Sequence, residues 1–172
     1  MRPSSWAMLV GGAMAGGIFE STFAAAAPFP ANIIRPVLPC LVMLVLLTRS
    51  KPALFGAGIA GACLDLLSAT PAGFATARLL IVMLCVEYLA EHVATNRSLF
   101  SAMALAFFAG ILNWAFLLLE ATLGNLVLSS HIFLEPWSTY LLIALANVAI
   151  TASLFLVFTL FTKRFLISIK TQ

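Results

Sequence analysis

Polar and charged positions cut the chain into six apolar runs, at about residues 6–27, 33–47, 53–69, 74–92, 99–122 and 137–161. Their lengths approach the roughly 20 residues with which a helix crosses a hydrocarbon core about 30 Å thick. The breaks between them carry turn residues. Pro28, Pro30, Asn32, Arg35 and Pro36 open the second run, and Pro39 falls in its first turn, where a missing N–H is tolerated. Thr48-Arg49-Ser50-Lys51-Pro52 is a compact basic turn before the third run, and Thr70-Pro71-Ala72-Gly73 joins the third to the fourth. Ala94 to Ser98 precedes the fifth run. The longer stretch from Gly124 to Pro136 is half apolar and suits the membrane interface, with Phe133 and Trp137 at headgroup level.

Composition turns this pattern into a class. Of 172 residues, 63% are hydrophobic and 9% charged, with a mean hydropathy of +1.11, which leaves a water-soluble domain too little polar surface. The expected fold is an all-α membrane protein with six transmembrane helices, forming one polytopic domain over residues 1–172 with no room for a separate soluble enzyme domain. The net charge of +3 matters less than its distribution, and it does not imply nucleic acid. Arg2, Arg49, Lys51, Arg97, Lys163, Arg164 and Lys170 fall on one side of a six-span layout and only Arg35 on the other, which places both termini in the cytoplasm. A cleaved signal peptide is the rival reading of the first run, because Arg2 precedes it and Ala24 to Ala27 resemble a cleavage region. Glu20 interrupts that run and favours an uncleaved first helix.

Charges inside apolar runs need partners, since an unpaired one costs roughly 3 kcal/mol or more at mid-membrane. Asp65 stands six residues before Pro71 and Arg78 five residues after Gly73. A helical hairpin would set both about 8 to 9 Å below the turn, so the two are expected to pair. The layout puts Glu20, Arg35 and Glu120 in the same outer half, with Glu20 or Arg35 as a further partner of the pair; the other reading of these charges is a polar pocket open to the outside. Glu87, Glu91 and His92 belong to the cytoplasmic end and make a weak metal signal. Cys40, Cys63 and Cys85 stand singly in apolar runs and read as small hydrophobes. No metal site or cofactor is expected, and no nucleophile–base spacing, Walker loop or dinucleotide fingerprint signals an enzyme. Asn113, Trp114, Asn147 and Thr151 are expected to hydrogen-bond between helices, and Gly12, Gly16, Gly58 and Gly61 to let helices approach closely.

Three features together resemble the MreD family of bacterial rod-shape-determining membrane proteins: Arg35-Pro36 at the start of the second helix, the basic turn Arg49-Ser50-Lys51, and Gly61-Ala62-Cys63-Leu64-Asp65-Leu66-Leu67-Ser68 followed by Pro71-Ala72-Gly73. The likeness covers about residues 35–91 in motif and the whole chain in length and span number. It implies a compact six-helix bundle similar to the substrate-binding S-components of energy-coupling-factor transporters, in the bacterial inner membrane. It also implies a non-enzymatic role in cell-wall elongation, beside MreC, a glycan polymerase, a class B transpeptidase and, indirectly, the actin-like MreB. Asp65, Pro71, Gly73 and Pro36 are the positions that carry the likeness, whereas Arg78 departs from it. The other function the residues allow is ligand binding as such an S-component, with an outward pocket built on Glu20, Asp65 and Arg78.

Overall fold

The computed structural model describes residues 3–24, 26–28, 34–48, 51–67, 73–92, 98–127 and 137–170, with side chains for all of these except 3–5, 23–24, 48, 51, 123–127 and 161–170. Within them the chain is all-helical: α1 (Pro3–Phe19), α2 (Val37–Thr48), α3 (Lys51–Leu67), α4 (Phe74–His92), α5 (Leu99–Val127) and α6 (Trp137–Lys170). Pro71, the Arg49-Ser50 half of the basic turn, Arg97 and the stretch 128–136 lie outside the described residues.

The expected runs and the helices agree closely at α4, and elsewhere the helices differ at their ends. Apolar run one continues past α1 as a π-helical turn, Glu20–Ala24. There the Ser21 and Thr22 hydroxyls both donate to the Ile18 carbonyl, at 3.1 and 2.6 Å, and side-chain competition of this kind loosens the regular ladder. Helix α5 runs on to Val127, into the stretch expected to be a loop, and α6 runs on to Lys170, so Lys163 and Arg164 stand on its last turns. Among the described residues, only Leu99–Thr122 and Trp137–Leu160 are long and apolar enough to cross a membrane by length and composition, while Val37–Leu47 and Pro52–Leu67 are apolar but shorter.

The shortest helix is the centre. Helix α2 packs against α3, α4, α5 and α6, and Val42, Met43, Val45 and Leu46 are among its buried residues. Its sequence, VLPCLVMLVLLT, has no polar stripe to turn outward, so burial on several faces is the arrangement its side chains allow. Leu79, Val82, Met83 and Val86 of α4 and Ala102, Leu105, Ala106 and Ala109 of α5 close the core around it. The remaining large contacts join α3 with α4, α5 with α6, α1 with α3 and α4 with α5, which leaves α1 at the rim. Trp6 of α1 meets Phe55 of α3 edge-to-face at 5.1 Å between ring centres.

Candidate functional site

Helix α4 begins at a residue that cannot cap it. Gly73 takes φ of +92°, a backbone region open mainly to glycine, and its carbonyl accepts the first helical bond from Ala77 N–H at 2.9 Å. A serine or aspartate at such a position would satisfy the N–H groups that follow, but glycine has no side chain to do so. Asp65, two residues before the end of α3, supplies the acceptor. Its Oδ1 accepts from Ala75 N–H at 2.8 Å, and its Oδ2 accepts from Thr76 N–H at 3.0 Å and from the Thr76 hydroxyl at 2.5 Å. The charge thus lies at the positive end of the α4 dipole. One turn back on the same face of α3, Gly61 makes the approach feasible: a Cβ there would lie 2.5 Å from Thr76 Cα. Gly61, Asp65, Gly73 and Thr76 form a single joint.

The expected Asp65–Arg78 pair is therefore corrected. Asp65 lies level with the first turn of α4 and bonds its amides, whereas Arg78 is a turn deeper and bonds Glu120 of α5, with Nη1 2.6 Å from Oε2. Their side chains are 11% and 15% exposed, so this pair is largely removed from solvent. The depth argument erred by counting residues from Pro71: α3 stops at Leu67, so Asp65 stands near the helix end and not two turns below it. Glu20 makes the counterpart of the Asp65 cap at α2, its Oε2 accepting from Val37 N–H at 3.2 Å. The charges of Arg35 and Arg78 both act on Glu20, and those of Arg35, Glu20 and Glu120 on Arg78. The expected outer grouping of Glu20, Arg35, Asp65, Arg78 and Glu120 is thus one cluster at one end of the bundle. Arg78 Nε is buried without a hydrogen-bond partner, and Arg35 has no hydrogen bond or ion pair among the described residues.

Other expected residues divide. Of the four packing glycines, only Gly61 meets a neighbouring backbone. Gly12 has nothing within 4 Å of its Cβ position, Gly16 has only Val37 Cγ2 at 3.5 Å, and Gly58 has only Leu80 Cδ2 at 3.9 Å. The close contact on α1 is made by Gly17, where a Cβ would lie 2.9 Å from Cys63 Cβ and 3.1 Å from the Ala60 carbonyl oxygen. Gly110 does the same between α5 and α6, 3.2 Å from Ala144 Cα. Both were legible as glycines, but only the rotational setting of each helix decides which glycine faces a neighbour. Among the described residues, the polar side chains of α5 and α6 do not form the expected interhelical bonds. Thr151 donates to the Asn147 carbonyl in its own helix at 2.8 Å, and Asn147 Oδ1 and Trp114 Nε1 are buried without partners. His92 Nδ1 lies 2.9 Å from the Tyr88 carbonyl and its ring stacks on Tyr88. No group of three or more His, Cys, Asp or Glu side chains converges for a metal ion among the described residues.

Two cavities have clear linings. One of about 430 Å³ lies between α1 and α2 over α3, lined by Gly12, Gly16, Cys40 and Leu44 and floored by Gly56 and Ala60. The other, of about 190 Å³, lies between α5 and α6 beside Trp114, Trp137 and Tyr140. Neither is lined by Glu20, Asp65 or Arg78. Compared with known proteins, the chain matches no family model, no curated protein and no solved structure.

Proposed function

We propose that the chain is a six-span component of the bacterial inner membrane that acts as a non-enzymatic scaffold in cell-wall elongation, as the resemblance to MreD implies. The observation that carries the reading is the α3–α4 joint. The residues on which the resemblance rests, Gly61, Asp65 and Gly73, act together as one structural device, each needing the others' position. Short, apolar motifs imitate one another easily, but a motif whose members meet at one helix start has a shared physical task. The bundle's rim supports a lipid setting: Leu66, Phe100 and Met8 are 84%, 80% and 80% exposed. In water such side chains would form a sticky surface, and in a bilayer they face their own solvent.

The transport reading is weaker on the same geometry. Its pocket residues are engaged with the protein itself: Glu20 with Val37, Asp65 with Ala75 and Thr76, and Arg78 with Glu120. The test is affinity purification of the tagged chain from gently solubilised membranes, with mass spectrometry of the proteins and small molecules retained. MreC, the glycan polymerase or the transpeptidase in near-stoichiometric amount would support the scaffold. An energy-coupling membrane subunit with its ATPases, or a retained vitamin or metal ligand, would overturn it in favour of transport.

A further inference from the structure

Helix α6 outlasts the bundle at the end away from the charge cluster. Its register against α5 is set where the Cβ position of Gly110 lies 3.2 Å from Ala144 Cα. One turn further along α5, Trp114 meets Tyr140, one turn back on α6, at 6.1 Å between ring centres, so the two helices are antiparallel. Leu99, which opens α5 eleven residues before Gly110, therefore stands level with Phe155, eleven residues after Ala144. Residues 156–170 run on for about 22 Å past that level at 1.5 Å per residue. Burial changes at the same place. Thr151 is buried and Leu154 and Phe155 pack against the core, whereas Leu156, Val157 and Leu160 are 51%, 50% and 62% exposed. The connections at this end, residues 49–50 and 93–97, each join two helices and are too short to cover such a length.

The extension is both apolar and basic. Its sequence, LVFTLFTKRFLISIK, holds Lys163, Arg164 and Lys170 and no acidic residue. At 3.6 residues per turn, positions 161, 165, 166 and 169 of the helix, occupied by Phe, Phe, Leu and Ile, share one sector with Thr162. Position 164 borders that sector on one side, and positions 163 and 170 border it on the other. An apolar stripe between two charged borders is the pattern of a helix that packs on another helix and selects it by border charge.

Three occupants are conceivable, and the charges separate them. A second copy in the same membrane would present its own extension in parallel, which brings like charges together at both borders of the stripe. An anionic lipid surface is out of reach of the tip. From Trp137 to Lys170 the chain is one helix with neither proline nor glycine to bend it onto the membrane. Lys170 stands about 15 Å beyond Leu160, where the apolar span stops, and a charged surface acts over about 8 Å at physiological salt. Acidic borders on a different protein satisfy both features.

We infer that the α6 extension is a docking helix for an amphipathic, acid-flanked helix of another protein on the cytoplasmic side. The inference rests on the membrane reading above and adds to it the place and the chemistry of a contact.

Alkaline carbonate extraction of the full-length protein tests the membrane reading by itself: release into the soluble fraction overturns it and the docking helix with it. Given retention, benzoylphenylalanine replaces Phe161 or Phe165 in the full-length chain, and intact cells are irradiated. The expected product joins the chain to a segment of another protein in which Asp or Glu flanks an apolar helical stripe. Its yield should fall about tenfold when Lys163→Glu, Arg164→Glu and Lys170→Glu are combined, as reversal of three exposed pairs implies. If that chain does not accumulate, Lys170→Glu alone, at the tip, decides the matter with an expected fall of about twofold. A second measurement uses a synthetic Leu/Glu amphipathic helix and its Leu/Lys counterpart, titrated by fluorescence anisotropy onto the purified protein in phosphatidylcholine nanodiscs. The Glu form should bind at least about tenfold more tightly, and the charge-reversed protein should invert the preference. Crosslinking to a second copy, crosslinking to lipid alone, a partner segment without acidic residues, or equal binding of the two peptides would overturn the inference.

Discussion

At the scale of single residues, each charge of the cluster serves a different task, and the tasks give different mutational signatures. Asp65 accepts three hydrogen bonds at the start of α4, two of them from backbone donors that have no helical acceptor of their own. Asp65→Ala should cost about 2 to 3 kcal/mol, as loss of a charged cap with several donors. Thr76→Val, which removes one hydroxyl and keeps the amide bonds, should cost about 1 kcal/mol. Thermal unfolding in detergent reads both, and equal losses would mean that the backbone bonds carry no weight. Arg78 and Glu120 should behave as a coupled pair. Arg78→Leu alone leaves the Glu120 carboxylate largely buried and uncompensated, an expected loss of about 3 kcal/mol, whereas adding Glu120→Leu should restore most of it. Asp65→Asn should add to Arg78→Leu with no rescue, since the two residues serve different partners. A double-mutant cycle that couples Asp65 with Arg78 more strongly than Glu120 with Arg78 would contradict the observed pairing.

At the scale of elements, the joint between α3 and α4 depends on two glycines for different reasons. Gly61 is needed for space, because its missing Cβ admits the Thr76 backbone, and Gly73 for conformation, because its φ is +92° with no atom crowding its Cβ position. Gly73→Ala should therefore cost about 1 to 2 kcal/mol, the penalty of a left-handed L-residue. Gly61→Ala should cost about 2 to 3 kcal/mol, since backbone and not a flexible side-chain tip stands in the way. Accumulation in the membrane and the thermal midpoint rank the two, and a Gly61→Ala protein as stable as the wild type would mean the helices are farther apart than the joint requires. The helices themselves were legible from apolar runs and turn residues, with α4 matching at both ends. The ends of α5 and α6 were not, because a half-apolar stretch such as Gly124 to Val127 reads equally as loop or helix. The central place of α2 was visible only in its lack of a polar stripe. The partner of Arg78 was hidden by distance along the chain: Glu120 lies 42 residues away, and spacing arguments see neighbours first.

At the scale of the whole molecule, the charge cluster itself constrains how the helices run. Glu20 follows α1 and reaches the start of α2, Asp65 near the end of α3 reaches the start of α4, and Arg78 near the start of α4 reaches Glu120 in the last third of α5. The ends of α1, α3 and α5 and the starts of α2 and α4 therefore share one end of the bundle, which makes these five helices alternate in direction. If α5 crosses the membrane, as its length and composition allow, the shorter helices beside it run at the same depth, and Lys51, at the start of α3, belongs to the opposite end. That alternation predicts a labelling pattern. In a background with Cys40, Cys63 and Cys85 replaced by alanine, Ser138→Cys at the start of α6 should react with a membrane-impermeant maleimide in intact cells. Ser98→Cys, just before α5, should react only after permeabilisation. Reaction of both from outside would place residues 98 and 138 on one side of the membrane and contradict a single crossing by α5.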